Sequence, residues 1–478
     1  MFEGRASSTH PGADVIVVGA GLSGLTVAFR LARAGLRVEV LELAPRPGGV
    51  IGSRRRDGVL CESGPNSALD TSPLIGELLR DAGIDAERLD ASRIADRRYI
   101  LRGGRLIPMP LSPPAFLRTP LFSWRTKLGL LREPFIPRAP AGAEETVSDF
   151  VRRRLGSEFL DYAIEPFVAG IYAGDPDLLS VQAAFPRLDA LEKKYGSLIR
   201  GMILGARERR KNAEKAKNTA KSFSFRDGMQ TLTDALARGI GGEGIRCGVC
   251  VDSVRREPDG RFMLEASTDS ERFTCTARAV VLAMPAYAAA PLVAPLAPAA
   301  AAALGEIFYP PVASVVSAFR RADVAHPLDG FGFLAPRKEK PRVLGTLFSS
   351  SMFSGRAPDG IVALTTFVGG RRDPELARSE PPQIASIVCE SLQTHVGAAI
   401  PLWNEVTRWP RAIPQYTLGH LARIAAVESA EQAYPGLYFC ANYRGGVSVG
   451  DCVKSAHAIV ERVTTQLSQA MPASQSPR

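Results

Sequence analysis

Two features of this chain carry chemistry by residue type and spacing: the loop Gly19-Ala20-Gly21-Leu22-Ser23-Gly24 and the acid Glu42 that follows it. Gly19 permits a tight turn and Gly21 lets a pyrophosphate approach the backbone. Gly24 lets the next helix pack against the preceding strand, so that phosphate charge meets the helix N-terminus. The Glu42 carboxylate can accept hydrogen bonds from both hydroxyls of an adenosine ribose and would repel a 2′-phosphate. By itself G-x-G-x-x-G says little. Here Val15 to Val18 supplies an apolar strand before the loop, a helix follows, and Val38 to Leu41 forms a second strand ending on the acid, which makes a dinucleotide fingerprint.

A nicotinamide domain would continue into further βα units. This chain returns instead to glycine-rich backbone, at Ala44-Pro45-Arg46-Pro47-Gly48-Gly49, at Gly52-Ser53 and at Glu62-Ser63-Gly64-Pro65-Asn66-Ser67. Such returns suit a longer, two-headed dinucleotide in an extended conformation, namely FAD. The far end repeats the logic: Leu437 to Asn442 reads as a strand, Tyr443 to Gly450 as a glycine loop and Asp451 to Arg462 as a helix, whose first amides can face the flavin or its ribityl chain.

Flavin supplies hydride acceptance at N5, so the protein must position a substrate and shield the ring rather than present a nucleophile. His10, His326, His395, His420 and His457 are scattered, outside any metal or triad spacing, and read as structural. Ser23 and Ser448 have no local base. The cysteines are odd in number, seven, which points to reduced thiols; Cys247-x-x-Cys250 lacks a second pair and reads as a strand fragment, so no metal is expected.

These residues need a scaffold of several parts, and 478 residues exceed one ordinary core. The net charge of +10 favours anionic partners and leaves nucleic acid, anionic lipid and a carboxylate substrate open. Met1 to Ala13 is short and polar, with no export core, and the long uncharged run Ala279 to Gly305 holds Pro285, Pro291, Pro295 and Pro298, which oppose a spanning helix. From Asp85 to Gly205 helical periods replace the strand pattern. Within it, Arg93 to Arg138 interleaves basic residues with Phe116, Leu117, Leu121, Phe122, Trp124, Leu128, Leu130 and Leu131, which fits either docking on an anionic membrane or a solvated helical face. Arg207 to Lys221 reads as a mobile loop or frayed helix. Ile245 to Val254 reads as one strand, and Val312 to Phe319, Gly330 to Ala335, Val343 to Phe348 and Ile361 to Val368 as strands of a mixed or antiparallel sheet.

Motifs along nearly the whole chain resemble those of the oxygen-dependent protoporphyrinogen oxidases. They are GAGLSGL with E-x3-R-x-GG, GPNS at Gly64 to Ser67, IYAGDP at Ile171 to Pro176, GTLFSS at Gly345 to Ser350, TTFVGG at Thr365 to Gly370, RWPRAIPQY at Arg408 to Tyr416 and NYRGGVSVGDCV at Asn442 to Val453. The first and last also fit amine oxidases and carotenoid desaturases; the middle ones are more specific. The resemblance implies an α/β fold: a Rossmann-like FAD-binding domain of the glutathione-reductase or amine-oxidase type, a mixed-sheet substrate domain and an inserted helical subdomain. The expected bounds are 11–84, 221–310 and 417–465 for FAD binding, 85–205 for the helical part and 311–416 for the substrate domain, with flexible tails at 1–10 and 466–478.

It further implies six-electron oxidation of protoporphyrinogen IX to protoporphyrin IX in three flavin cycles, with oxygen regenerating FAD and yielding hydrogen peroxide. Arg98 corresponds to the arginine that pairs with a substrate propionate, Leu334, Leu347 and Phe367 to the residues that sandwich the ring system, and Gly174 to the backbone position near the reacting edge. From the residues alone, Leu334, Leu347 and Phe367 pass equally as strand core and Arg98 as surface charge. The implied cofactor set comprises Gly19, Gly21, Leu22, Ser23, Gly24, Glu42, Leu43, Arg46, Gly48 and Gly49 from the first unit, and Gly64, Pro65 and Asn66 from the next loop. Val251 would lie at the adenine and Trp409 on the flavin, with Asn442, Gly446, Val447 and Val449 from the C-terminal loop. Expected partners are a porphyrinogen and O2 and no nucleic acid; an anionic membrane surface, a homodimer and hand-over to a porphyrin metal chelatase stay open. The expected location is cytoplasmic or peripheral on the cytoplasmic membrane, without secretion. Alternatives are coproporphyrinogen III oxidation, whose four propionates favour a more basic cavity, a flavin amine oxidase or carotenoid desaturase, and a non-enzymatic flavoprotein-like binding module.

Overall fold

The computed structural model describes residues 8–9, 12–140, 142–209 and 221–469. Residues 210–220 of the basic stretch, and most of the two expected tails, lie outside the described residues. The strand Ala13–Val18 is central to an eight-stranded sheet, six strands of which run in the order Ile245–Cys247, Val38–Glu42, Ala13–Val18, Arg272–Leu282, Phe262–Ser267, Cys250–Arg256, while Ser8–Thr9 and Leu437–Phe439 also pair with Arg272–Leu282. Val38–Glu42, Arg272–Leu282 and Leu437–Phe439 run parallel to it or to its neighbour. Val15, Ile16 and Val17 are fully buried, as a parallel sheet covered on both faces requires. The helices Leu22–Arg33, Gln230–Ile240 and Val449–Gln469 cover one face. Ala286–Val293, Pro298–Gly305 and His420–Ala433 pack on the other.

The single strand expected over Ile245 to Val254 is two strands. Gly248, at φ +71°, turns the chain between Ile245–Cys247, parallel to Val38–Glu42, and Cys250–Arg256, antiparallel to Phe262–Ser267. Cys247 and Cys250 therefore flank a turn, and no metal-holding cluster occurs among the described residues. The last helix, expected over Asp451 to Arg462, spans Val449–Gln469 with Leu467 buried.

A second sheet has seven strands in the order Trp403–Trp409, Val312–Arg320, Ile361–Gly369, Gly345–Leu347, Gly332–Leu334, Arg98–Arg102, Arg105–Pro108. Its last two members lie within the 85–205 segment read as losing strand character. They form a hairpin whose two central residues, Gly103 and Gly104, both have positive φ, the turn that matches strand twist. The other helices of this segment include Val147–Leu155, a π-helical turn Leu160–Ile164, Glu165–Tyr172 and Leu198–Arg209. No helix among the described residues is long and apolar enough to cross a membrane. Glu62 of the nucleotide half and Arg356 of the second half form an ion pair at 2.8 Å with both side chains almost fully buried. Glu62 also accepts from Ser53 Oγ at 2.5 Å and from the Met229 amide at 2.9 Å.

Candidate cofactor and substrate site

Because Ala13–Val18, Val38–Glu42, Arg272–Leu282 and Leu437–Phe439 share one direction, the loops that follow them leave one edge of the sheet, where ligands bind in open α/β folds. Gly24 packs there so closely that an added Cβ would lie 2.0 Å from the Gly19 carbonyl oxygen. A Cβ on Gly21 would meet open space. Gly21 is also the N-cap of Leu22–Arg33 and offers no side-chain cap, which leaves the first helical amides free for a phosphate. Leu22 and Ser23 are buried in that first turn. The Gly48 amide bonds the Ala20 carbonyl at 2.8 Å and Gly49 crosses over the Gly21 Cα, so the second glycine segment lies on the first.

Glu42 is half-buried, its carboxylate accepting from the Ala20 amide at 2.5 Å and the Ala44 amide at 2.8 Å. Each oxygen accepts one such bond and retains a lone pair for a ribose hydroxyl. Arg46 folds over this loop, donating to the carbonyls of Pro47 and Ile51, while Leu43 is exposed. Gly64 lies against the Val50 carbonyl, Asn66 donates to Gly64, and Trp409 donates from Nε1 to the Ser63 carbonyl at 2.8 Å, with Pro65 half-buried between. Val251 is half-buried at the start of Cys250–Arg256, two residues after Val249, whose amide donates to the Glu42 carbonyl at 2.8 Å. At the other end the Tyr416 hydroxyl donates to the Asn442 carbonyl at 2.7 Å and accepts from the Gly446 amide at 3.0 Å. Val447 and Val449 lead into the helix capped by Ser448, whose hydroxyl donates to Asp451. The donors and the bare backbone fit an extended dinucleotide.

The second sheet places the substrate-side candidates. In its register Arg98 pairs with Gly332 and Gly332 with Leu347; one row along, Leu334 pairs with Gly345 and Gly345 with Phe367. Paired residues share a face, so Arg98, Leu334, Leu347 and Phe367 all project from one side. They are half-buried, whereas Tyr99, Phe333, Thr346 and Thr366 on the opposite side are buried. Three strand spacings, about 14 Å, separate the strand of Arg98 from that of Phe367. The helix Glu165–Tyr172 crosses this face: a Cβ on Gly170 would lie 2.8 Å from a Leu334 methyl, and Ala169 and Ala173 pack with Phe367 and Ile413. Ile413 also packs with Tyr416 and Val447, so the C-terminal loop and the apolar face meet. Gly174 follows directly, against Gln415.

Charge on this face is uneven. Arg102 is paired with Glu158, Arg337 with Asp175, Lys338 with Asp161 and Arg372 with Glu165, whereas Arg97 lies on the reverse side beside Tyr99, paired with Asp329. Arg98 has no ion pair among the described residues and only stacks over Phe331 at 5.1 Å. Burial holds its guanidinium below the ordinary arginine value, weakly opposed by Asp96. A desolvated cation without a counterion is a place for a ligand anion. His326 packs with Tyr99 and Phe348 on the reverse face and His420 stacks on Tyr416 at 4.1 Å, so neither supplies a base to the slot.

Sequence reasoning missed Gln415 and Tyr416, although both lie in the motif RWPRAIPQY; two polar side chains after Pro414, both buried, link the slot to the C-terminal loop. It also missed the Glu62–Arg356 pair, which no local spacing announces.

Residues 22–464 match the family described as flavin containing amine oxidoreductase. The chain is 34% identical over 480 residues to the chloroplastic protoporphyrinogen oxidase of Nicotiana tabacum, covering 95% of this chain and 86% of that one. It is 28% identical to the coproporphyrinogen III oxidase of Bacillus subtilis (strain 168), covering 95% and 98%. Among solved structures, a candidate protoporphyrinogen oxidase from Exiguobacterium sp. 255-15 superposes with a TM-score of 0.80 at 27% identity, covering 98% of this chain and all of that one.

Proposed function

Since the chain belongs to the flavin-containing amine oxidoreductase family, we propose that it is an FAD-dependent oxidase converting protoporphyrinogen IX to protoporphyrin IX in porphyrin biosynthesis, with oxygen as acceptor and hydrogen peroxide as product. One observation carries the substrate: a half-buried, unpaired Arg98 on the same sheet face as Leu334, Leu347 and Phe367. Bound FAD supplies the hydride-accepting ring. The two glycine segments and Glu42 would hold its diphosphate and ribose, and the Asn442 to Val449 loop its ring end. Arg98 pairs a propionate, Phe367 offers an aromatic face to a flat macrocycle, and Leu334 and Leu347 exclude water around it. Gly174 presents backbone at the edge nearest the C-terminal loop.

An unpaired Arg98 beside an apolar face favours a two-propionate porphyrinogen over a four-propionate one, since Arg102, Arg337, Lys338 and Arg372 are each paired with a carboxylate within the protein. Aerobic turnover of the purified yellow protein with protoporphyrinogen and coproporphyrinogen, followed by porphyrin fluorescence and peroxide, tests this. Faster conversion of protoporphyrinogen is expected. Preference for coproporphyrinogen overturns the specificity, and absence of fluorescence with either overturns the function.

A second proposal, docking of the helical segment on an anionic membrane, is supported by a concentration of exposed apolar residues. Leu117, Trp124, Leu128, Leu131, Phe135, Ile203 and Leu204 are all more than half exposed, among the exposed Arg118, Arg125 and Arg132. Lys127 takes no part: its ammonium is buried and donates to the carbonyls of Leu117 and Thr119. Co-sedimentation with anionic but not neutral vesicles is expected, and equal recovery in both supernatants refutes docking.

A further inference from the structure

The turn at Gly174 is held in an unfavourable shape. Ala173 closes the helix Glu165–Tyr172 at φ 47° and ψ 32°, left-handed for a residue that carries a Cβ. Such a conformation persists only where surrounding groups overdetermine it, and such positions gather at functional sites. On one side the Ala173 carbonyl accepts from the Arg371 amide at 2.8 Å. On the other stands Gln415, 2% exposed, whose Nε2 donates to the Tyr172 carbonyl at 2.8 Å and to the Ile413 carbonyl at 3.1 Å. Its Oε1 lies over Gly174, where an added Cβ would come within 2.6 Å.

The next residue faces the other way, as successive residues of extended chain do. Tyr416 is equally buried, and its hydroxyl bridges the Asn442 carbonyl and the Gly446 amide in the C-terminal glycine loop. The short segment between is itself pinned, the Gln415 amide to the Phe308 carbonyl at 2.9 Å and the Tyr416 carbonyl to the Ser180 amide at 2.8 Å. One dipeptide thus grips the substrate-side turn with its first side chain and the cofactor-side loop with its second.

We propose that Gln415 is a positioning residue for the oxidation: it fixes the Ala173-Gly174 turn relative to the loop that Tyr416 holds, and so sets how the substrate edge meets the hydride acceptor. This rests on the porphyrinogen oxidase reading for its consequence in rate. Its structural content, that Gln415 holds the turn, stands apart from that reading and is tested apart.

The test compares wild type, Gln415→Met and Tyr416→Phe as FAD-loaded proteins. Met has similar length and cannot donate. In Gln415→Met, amide hydrogen exchange should rise over residues 171–176 while residues 442–447 stay protected; in Tyr416→Phe the pattern reverses. With protoporphyrinogen, Gln415→Met should lower the rate of anaerobic flavin bleaching about 10- to 100-fold, the range that displacement of reacting groups by about an ångström produces. KM, FAD content and the flavin absorption maximum should stay within about twofold or unshifted, whereas Tyr416→Phe should shift the absorption maximum. Unchanged exchange over 171–176, or a rate loss matching lost FAD, overturns the role. Should Gln415→Met fail to fold, the cycle of Gly174→Ala with Gln415→Ala decides: the added methyl should be less harmful in the Gln415→Ala background, and additive effects overturn the contact. A wild type inert toward porphyrinogens sinks the oxidase reading alone, because the exchange result still reports on the turn.

Discussion

Replacing Arg98 by Met removes the charge and keeps the aliphatic length, so substrate affinity should suffer while stability should not. Guanidinium bonds to a carboxylate contribute roughly 1.5–3 kcal/mol net, and a forked contact in a half-buried slot lies near the upper end, about 3 kcal/mol. At about 1.4 kcal/mol per factor of ten, kcat/KM for protoporphyrinogen should fall about 100-fold, mainly through KM. Stability should hardly respond. Arg98 has no ion pair among the described residues, burial already disfavours its charge, and its stacking over Phe331 contributes about 0.5–1 kcal/mol. The melting temperature should therefore stay within about 2 °C of wild type, with flavin absorbance retained. Initial rates of porphyrin fluorescence in air across substrate concentration, beside differential scanning calorimetry, measure both. Arg97→Met is the control, since that guanidinium is paired with Asp329 near the surface and should leave KM alone. Substrate with both propionates methylated should lose the same factor on wild type and react equally with the variant. An unchanged KM, or a rise in KM that follows a fall in melting temperature, refutes the pairing.

Three further outcomes follow from the same geometry. Gly24→Ala would set a Cβ 2.0 Å from the Gly19 carbonyl oxygen, so the purified variant should be colourless or insoluble; yellow protein at full FAD occupancy would contradict the close approach. Burial pushes the His420 imidazole down to about 4, so its unfolded form binds the proton more tightly; the stability it contributes is whole above about pH 6.5 and is lost as pH falls to about 4. That swing is about 3 kcal/mol, and His420→Gln should flatten the decline of melting temperature and FAD retention across that window. Phe367→Ala should raise KM about tenfold with little change in melting temperature, because the ring is half-exposed toward the slot; a large loss of stability would mark it as core instead.

The glycine loop, its strands and Glu42 were legible because each requirement is local: a turn, a close approach, an acid at a strand end. The central strands of the second sheet were legible for the same reason, as short apolar runs bounded by turn signals and buried on both faces. Most of what escaped depended on partners far along the chain. Arg98–Arg102 is a strand because Gly332–Leu334 lies beside it, and its charged ends hid the buried Tyr99, Ile100 and Leu101 within. The Gly103-Gly104 turn was a local hairpin signal that went unread. From the residues alone Arg98 could not be told from its neighbour Arg97; only the position of Asp329 separates a neutralised arginine from an unpaired one. Gln415 and Tyr416 likewise matter through Tyr172, Asn442 and Gly446, none within reach of a local pattern.

The Glu62–Arg356 pair bolts the two sheets together on one side of the slot. Parting the two halves like a clamshell would break this pair together with the Arg356 bond to Ser224 and the bond from the Leu60 amide to the Arg356 carbonyl at 2.8 Å. On the other side, the connection Arg337–Glu339 is held to the helical part by the ion pairs Arg337–Asp175 and Lys338–Asp161, in which each cation is more than 40% exposed, and by hydrogen bonds from the Arg337 amide to Glu165 and from the Tyr162 hydroxyl to Glu339, both at 2.9 Å. Of these ties only the two ion pairs are screened by added salt, so ionic strength loosens this flank of the slot while leaving the Glu62–Arg356 side unchanged.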